Sequence, residues 1–394
     1  LGVLGIFLLG TNWYNSGIVA EHPEKVGSDR TGGKASRIDA KVLIGLLKLG
    51  VESEASDIHF EAGSPPRYRV NGELVKAKFD TLTPGDTLAI AQLLLGKRQL
   101  DLERIFPEQD ISYSLHGVSR FRVSIFRQRG SVGCVMRVIA SGIPSFKELN
   151  LPPIMSDIAV MPRGLVLITG STGMGKSTTI AAIIEHVNQT KPSHIITIED
   201  PIEFLFDNKK SLIIQREVGT DTKGFAEAMV TALRQDPDII MLGEVRDDIS
   251  ANACLRAAET GHLVITTLHT PDVTSSIKRF TGFFDQVQTM IQLDRMAGCL
   301  QAIISQRLIQ KADGTGLVPA VEIMRVTHTL QECIRNPEKH VDILDHMSQG
   351  RDVYRMQTFD QHLGDLVKAR KVTLETAKLA ATNPADLERS IMLE

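Results

Sequence analysis

The sequence predicts an α/β protein: a largely parallel sheet covered by helices, with a smaller α+β domain ahead of it. Three observations carry that expectation. Short apolar runs at Gly164–Thr169, His194–Glu199, 238–242 and Leu263–Leu268 are separated by helical patterns at 176–190, 224–235 and 248–260. Strands that alternate with helices in this way build parallel sheets buried on both faces. A glycine-rich stretch joins the first of these strands to the first helix. Upstream, helical spacing gives way to alternating runs around an Asn71-Gly72 pair, the mark of an antiparallel hairpin.

The bulk numbers agree. At 394 residues the chain exceeds one average domain, and 42% hydrophobic with 23% charged residues is the make-up of a globular protein with room for real cores. A formal charge of -3 argues against a general nucleic-acid binder, which needs clustered Lys and Arg. Cys134, Cys254, Cys299 and Cys333 lie far apart without a C-x-x-C pair, so they read as reduced, buried thiols rather than a zinc site.

From the N-terminus, the apolar run 1–9 is too short for a bilayer span of about 20 residues and lacks the basic flank of a signal peptide. Residues 1–35 therefore read as a flexible lead-in or an upstream-extended reading frame. Val42, Leu43, Leu46 and Leu47 recur at helical spacing, with Gly50 as the expected stop. Strands are expected at 58–60, Arg67–Val70 and Glu73–Lys76. Thr83-Pro84 opens a helix to Leu95, with Thr as N-cap and Pro in the first turn. In 120–127, Phe121, Val123 and Ile125 alternate with Arg120, Arg122 and Ser124, giving one apolar and one basic face, and 132–139 is the expected partner strand. Residues 36–140 thus form the N-terminal domain. Pro144, Pro152, Pro153 and Pro162 mark 141–163 as the linker, and 164–325 is the core. From about 284 the chain is expected to be helical, with a short β segment near 318–323, and 326–394 forms a helical C-terminal region.

The chemistry gathers in the core. Gly170-Ser171-Thr172-Gly173-Met174-Gly175-Lys176-Ser177 fits G-x-x-x-x-G-K-[ST] in full, between a predicted strand and a predicted helix. Glycines let backbone N–H groups curl around phosphate oxygens, and the helix N-terminus adds positive potential. Lys176 then reaches the β- and γ-phosphates, and Ser177 offers its hydroxyl to Mg²⁺. The strand 238–242 leads to Glu244, placed to hold Mg²⁺ or orient water, whereas Asp238 precedes the apolar run and reads as a turn residue. Glu199, Asp200 and Glu203 crowd three carboxylates into five residues: either an exposed acidic turn or a site that uses a cation or moves a proton. His262 and His269 flank a strand, structural or catalytic. The arginines of 120–127, with Arg137 on the next strand, form a solvated face or a set presented to a neighbour's triphosphate.

In this order the motifs resemble the secretion and pilus ATPase superfamily: the P-loop, Ile198-Glu-Asp-Pro-Ile-Glu203, Gln215-Arg-Glu-Val218, the Walker B strand, Ala258-Glu-Thr-Gly-His262 and Thr267-Leu-His269. From about Ile38 to the end the chain is similar to the PilT/PilU retraction branch. Its C-terminal Met356-Gln-Thr-Phe-Asp360-Gln361 and Asn383-Pro-Ala-Asp-Leu387 look more like PilU. The resemblance implies a homo-hexameric ring of RecA-like P-loop ATPase domains behind PAS-like N-terminal domains. The ring would be cytoplasmic, docked on an inner-membrane pilus platform protein, with a PilT-like ATPase as a possible partner. It implies that Lys176, Ser177 and Thr178 bind ATP, that Glu203 is the general base, and that Glu244 supports Mg²⁺ and water. His262 and His269 form the His box, and Arg122 and Arg137 reach a γ-phosphate. Thr270-Pro271-Asp272 differs from the commoner small polar run after His269, and two further departures follow: Met174 replaces a small residue at a position expected to contribute mainly backbone, and Glu332-Cys333-Ile334-Arg335-Asn336 keeps part of a retraction-linked motif. That partial motif fits an accessory PilU-like motor; the alternatives are a nucleotide-binding scaffold subunit with little hydrolysis, or a pilus assembly or type II secretion ATPase. Assembly and type II secretion relatives usually carry a tetracysteine module, for which this chain has no C-x-x-C pair.

Overall fold

The computed structural model describes residues 36–96, 108–139 and 142–393, and the readings made for 1–35 lie outside them. Helix α1 (Ala40–Glu52) starts at Asp39, whose carboxylate accepts from the Val42 N–H at 2.8 Å. Gly50 does not stop it. A Cβ there would come within 2.5 Å of Ile58 Cδ1, so glycine instead lets the helix lie against the sheet, and the helix ends two residues later. Strands β1 (Asp57–Phe60), β2 (Arg67–Val70) and β3 (Glu73–Lys76) follow. Asn71 and Gly72, both at positive φ, form the expected two-residue turn between β2 and β3. Helix α2 (Pro84–Leu95) carries a Thr83/Asp86 capping box.

Strands β4 (Gln109–Leu115), β5 (Ser119–Gln128) and β6 (Ser131–Val138) complete an antiparallel sheet of order β3-β2-β1-β6-β5-β4. Strand β4 was not expected from the sequence. Phe121, Val123 and Ile125 are fully buried with Leu43, Leu47 and Ile90 of the two helices, and Arg122 faces the other way.

Helix α3 (Ile154–Ala159) packs Ile154, Met155 and Ile158 into the second sheet's core, as do Phe146 and Leu151 before it. That sheet holds β7 (Gly164–Thr169), β8 (His194–Glu199), β9 (Leu212–Glu217), β10 (Ile239–Leu242), β11 (Leu263–Leu268), β12 (Leu300–Gln310) and β13 (Leu317–Arg325), in the order β13-β12-β7-β11-β10-β8-β9. All neighbours are parallel except β12 and β13. Helix α4 (Lys176–Thr190) joins α3 on one face, where Val166, Ile168 and Ile195 point. Residues of α5 (Phe225–Ala232), α6 (Asp248–Glu259), α7 (Val273–Thr281) and α8 (Gln286–Cys299) cover the other, where Leu165, Leu167 and Ile196 point. The helical expectation after 284 is corrected here. An 11-residue strand, β12, inserts beside β7, and the expected short segment is the nine-residue β13.

Beyond it, α9 (His328–Arg335), a 3₁₀ turn (Pro337–Asp342), α10 (Ile343–Gln349) and α11 (Arg351–Tyr354) lead to α12 (Phe359–Lys368), α13 (Leu374–Ala380) and α14 (Pro384–Leu393). Phe359 and Leu363 of α12 pack on Ile309, Val318 and Ala320 of the β12–β13 pair. The four cysteines are free and buried, and burial pushes the Cys134 thiol up to about 12. Among the described residues, no helix is long and apolar enough to cross a membrane.

Candidate active site

The carboxyl ends of β7, β8, β10 and β11 meet at one edge of the second sheet, where open α/β sheets bind ligands. The loop after β7 needs its glycines. Gly170, Gly173 and Gly175 have φ of 148°, 81° and 80°, and a Cβ on Gly170 would sit 2.6 Å from the Gln306 carbonyl oxygen. Gly175 caps α4 without any side-chain cap, leaving the first N–H groups of the helix for an anion. Lys176 folds back over the loop, donating to the carbonyls of Gly170 (2.7 Å) and Ser171 (3.0 Å). Its pKa is lowered by burial, against an upward pull from Glu244 and Glu203.

A cavity of about 390 Å³ opens above the loop. Thr172, Gly173, Gly175, Lys176, Ser177 and Thr178 line one side, and Glu203, Glu244 and His269 the other. Glu244 accepts from His269 Nε2 at 2.9 Å and pairs closely with Arg246, which also reaches Asp200 at 3.3 Å. His269 Nδ1 stands 3.4 Å from the Thr172 hydroxyl, so this histidine bridges the acid after β10 and the P-loop. The crowded acids separate by role. Glu199 is buried, its pKa raised mainly by that burial, and it accepts from Thr197 (2.6 Å) and Gln215 (3.1 Å). Asp200 pairs with Arg246, and all three carboxylates border the cavity, Glu203 among them.

Other expected residues lie elsewhere. His262 precedes β11, at the opposite end of the strand from the P-loop, where Nδ1 sits 3.0 Å from the Ala257 carbonyl. The six-residue strand separates it from His269, so it does not join the cavity. Arg122 and Arg137 are exposed on the N-terminal sheet, paired with Asp110 (3.6 Å) and Asp57 (3.0 Å) of that same sheet. Asp238 is a turn residue, as expected, accepting from the His194 N–H at 2.8 Å.

Gln306 is not foreseen from the sequence. From β12 its amide donates to the Met174 carbonyl at 2.5 Å and accepts from Thr179 at 2.8 Å, so it props both the loop and the helix. Met174 contributes side chain as well as backbone, since its Sδ accepts from the Leu308 N–H at 3.3 Å. Both contacts depend on β12 being a strand.

Ser177 and Glu244 offer oxygen donors that suit Mg²⁺, which takes one or two protein ligands and completes its shell with phosphate and water. Among the described residues, no cluster of three or more His, Cys, Asp or Glu could hold a metal by itself.

A glycine cradle ending in an uncapped helix, faced by acids from neighbouring strands, defines a P-loop nucleoside triphosphatase. A family model described as type II/IV secretion system protein matches residues 37–392, and the chain belongs to that family. It is 41% identical to the type IV pilus retraction ATPase PilT of Pseudomonas aeruginosa over 340 residues, covering 86% of this chain and 98% of that one. It is 38% identical to the type IV pilus ATPase PilU of the same organism over 356 residues, covering 88% and 91%. The crystal structure of the pilus retraction motor PilT with bound ADP superposes with a TM-score of 0.81 at 43% identity, over 89% of this chain and 100% of that one. The chain is thus a PilT/PilU-type member, and overall identity is slightly higher to PilT than to the PilU whose C-terminal motifs it resembles.

Proposed function

We propose that this chain is a Mg²⁺-dependent ATPase subunit of a homo-hexameric motor that powers or assists type IV pilus retraction, and with it twitching motility. The observation that carries the reading is the single cavity that brings Lys176 and Ser177 opposite Glu203, Glu244 and His269. The named activities of the PilT and PilU relatives support the same reading.

In this mechanism the P-loop N–H groups and Lys176 hold the β- and γ-phosphates. Water attacks the γ-phosphorus, its proton passes to Glu203, and the bond to the β–γ bridging oxygen breaks to give ADP and phosphate. Ser177 would hold Mg²⁺ with support from Glu244, and the ion would supply neutralisation of phosphate charge. His269 fixes the Glu244 carboxylate and reports to Thr172 on the loop. Arg122 and Arg137 disperse charge at a neighbouring subunit's γ-phosphate, and a ring works at the cytoplasmic face of an inner-membrane platform protein, alone or beside a PilT-like ATPase.

The test is phosphate release by the purified chain. Turnover is expected with ATP and Mg²⁺, to vanish with chelator, and to vanish in Lys176→Ala. Lys176→Ala that hydrolyses ATP like the wild type would remove the assigned site. Deleting the gene in its host and scoring surface motility and pilus number tests the retraction role.

A further inference from the structure

Gln215-Arg-Glu-Val218 has no part in the chemistry above, yet its side chains converge on the loop that carries Glu203. Gln215 holds that loop downstream, donating to the Phe204 carbonyl (2.8 Å) and accepting from the Phe206 N–H (3.1 Å). Glu217 holds it upstream, where its Oε2 accepts from the Ile202 N–H at 3.0 Å. The same oxygen accepts from Arg120 of the N-terminal sheet at 2.8 Å. Arg120 and Glu217 are 97 positions apart, and their side chains are 14% and 5% exposed, so this ion pair is sheltered. Ser114 accepts from the same guanidinium at 3.1 Å, and Ser112 donates to Glu217 from the same strand, β4. Arg122 and Arg137, by contrast, rest on carboxylates of their own sheet.

We infer that the Arg120–Glu217 pair is an interdomain latch that sets the position of Glu203. The inference rests on Glu203 as proton acceptor. A sheltered ion pair adds little net stability over apolar packing, and its best-attested use is to set register. Here one carboxylate oxygen serves both the N-terminal sheet and the residue directly before Glu203. Moving the N-terminal sheet therefore moves the acceptor, and the two bodies are coupled at the residue that takes the proton. Arg120 and Glu217 are positioning residues, because neither lines the cavity.

The test compares steady-state ATP hydrolysis and binding of a fluorescent ATP analogue in the purified full chain. Arg120→Gln and Glu217→Gln are each expected to lower kcat about tenfold or more, since small misplacements of a reacting group cost that much. KM and analogue affinity should stay within about twofold, because the P-loop is untouched. The double variant should be no slower than the slower single variant, as both substitutions break one device. Melting curves check folding. If Arg120→Gln melts early, Arg120→Met keeps the packing of the stem and is held to the same kcat criterion. Wild-type kcat in the Arg120 variant, or losses that multiply in the double variant, would overturn the latch. Glu203→Gln separates the two readings. If it is inactive while Arg120→Gln is normal, the latch alone fails, and if Glu203→Gln turns over normally, the acceptor assignment fails.

Discussion

The nucleotide cavity and the arginine face of the N-terminal sheet organise charge in opposite ways. Around the cavity, residues following four parallel strands converge within one chain, and Glu244 already acts on both Lys176 and His269. On the N-terminal sheet, Arg122 and Arg137 stand directly opposite each other across β5 and β6, with half or more of each side chain exposed. Like charges facing across a strand pair repel; the exposed pair with Asp110 offsets little of that, and the buried Asp57 carboxylate holds Arg137 from one side only. The cavity is a finished phosphate cradle, while the arginine face is a surface that gains from an incoming anion. On the proposed reading, a single chain cradles the triphosphate and Arg122 and Arg137 would serve the site of a second copy.

The largest expected effect tests that division. Arg122→Ala and Arg137→Ala should each lower kcat by about a hundredfold or more if they act on a γ-phosphate. Mixing Lys176→Ala subunits with Arg137→Ala subunits should then restore activity above either parent, because some interfaces join an intact Lys176 to an intact Arg137. Phosphate release from mixed rings measures it. Mixtures no more active than their parents would mean that the arginines act within their own chain, and the contrast would collapse.

The same contrast explains what the sequence could reveal. The P-loop is legible because glycine, lysine and serine must fall at fixed offsets between a strand and a helix, here β7 and α4. The basic face is legible because alternation in 120–127 sends Arg120 and Arg122 one way and Phe121 and Val123 the other. What those arginines meet is not, since alternation fixes a face and never a partner. Strand β12 is hidden for a different reason. Cys299 runs into Leu300 with no Gly or Pro between helix and strand, and Leu300, Ile303, Ile304 and Leu308 fall at helical spacing. A strand buried on both faces has no alternation to show. Gln306 is lost with it. His262 is grouped with His269 by motif, but they flank opposite ends of a six-residue strand about 20 Å long.

Gln306 sharpens the comparison with a middle-sized effect. Gln306→Ala removes the bonds to Met174 and Thr179 and loosens the cradle. Nucleotide affinity should weaken about tenfold, taking KM with it, for the loss of two hydrogen bonds. Arg122→Ala should leave affinity unchanged and lower kcat. Titration with a fluorescent ATP analogue separates binding on the core side from turnover on the arginine side. Equal affinity in Gln306→Ala and wild type would strip β12 of that role.

The smallest net effect on the wild type, because two opposing slopes cancel, concerns the interiors of the two regions. The core carries buried titratable groups beside β13, whereas the Arg122–Asp110 pair of the N-terminal sheet is too exposed to move stability much. Glu322 accepts from the Val273 N–H at 2.8 Å, and burial pushes its carboxyl up to about 7 from 4.5. His362 Nδ1 accepts from the Val321 N–H at 2.9 Å, and burial lowers its pKa to about 4 from 6.5. Because the folded pKa of Glu322 is raised, its contribution is present below pH 4.5 and lost as pH rises through about 7. The folded pKa of His362 is depressed, so its contribution is present above pH 6.5 and lost as pH falls towards about 4. Between pH 4.5 and 6.5 the two slopes oppose, each worth up to about 3 kcal/mol. Urea melts should show Glu322→Gln losing stability as pH falls through that window and His362→Gln losing stability as pH rises through it. Arg122→Ala should track the wild type at every pH. Slopes of the same sign in the two core variants would show that these groups do not set the pH dependence of the core sheet.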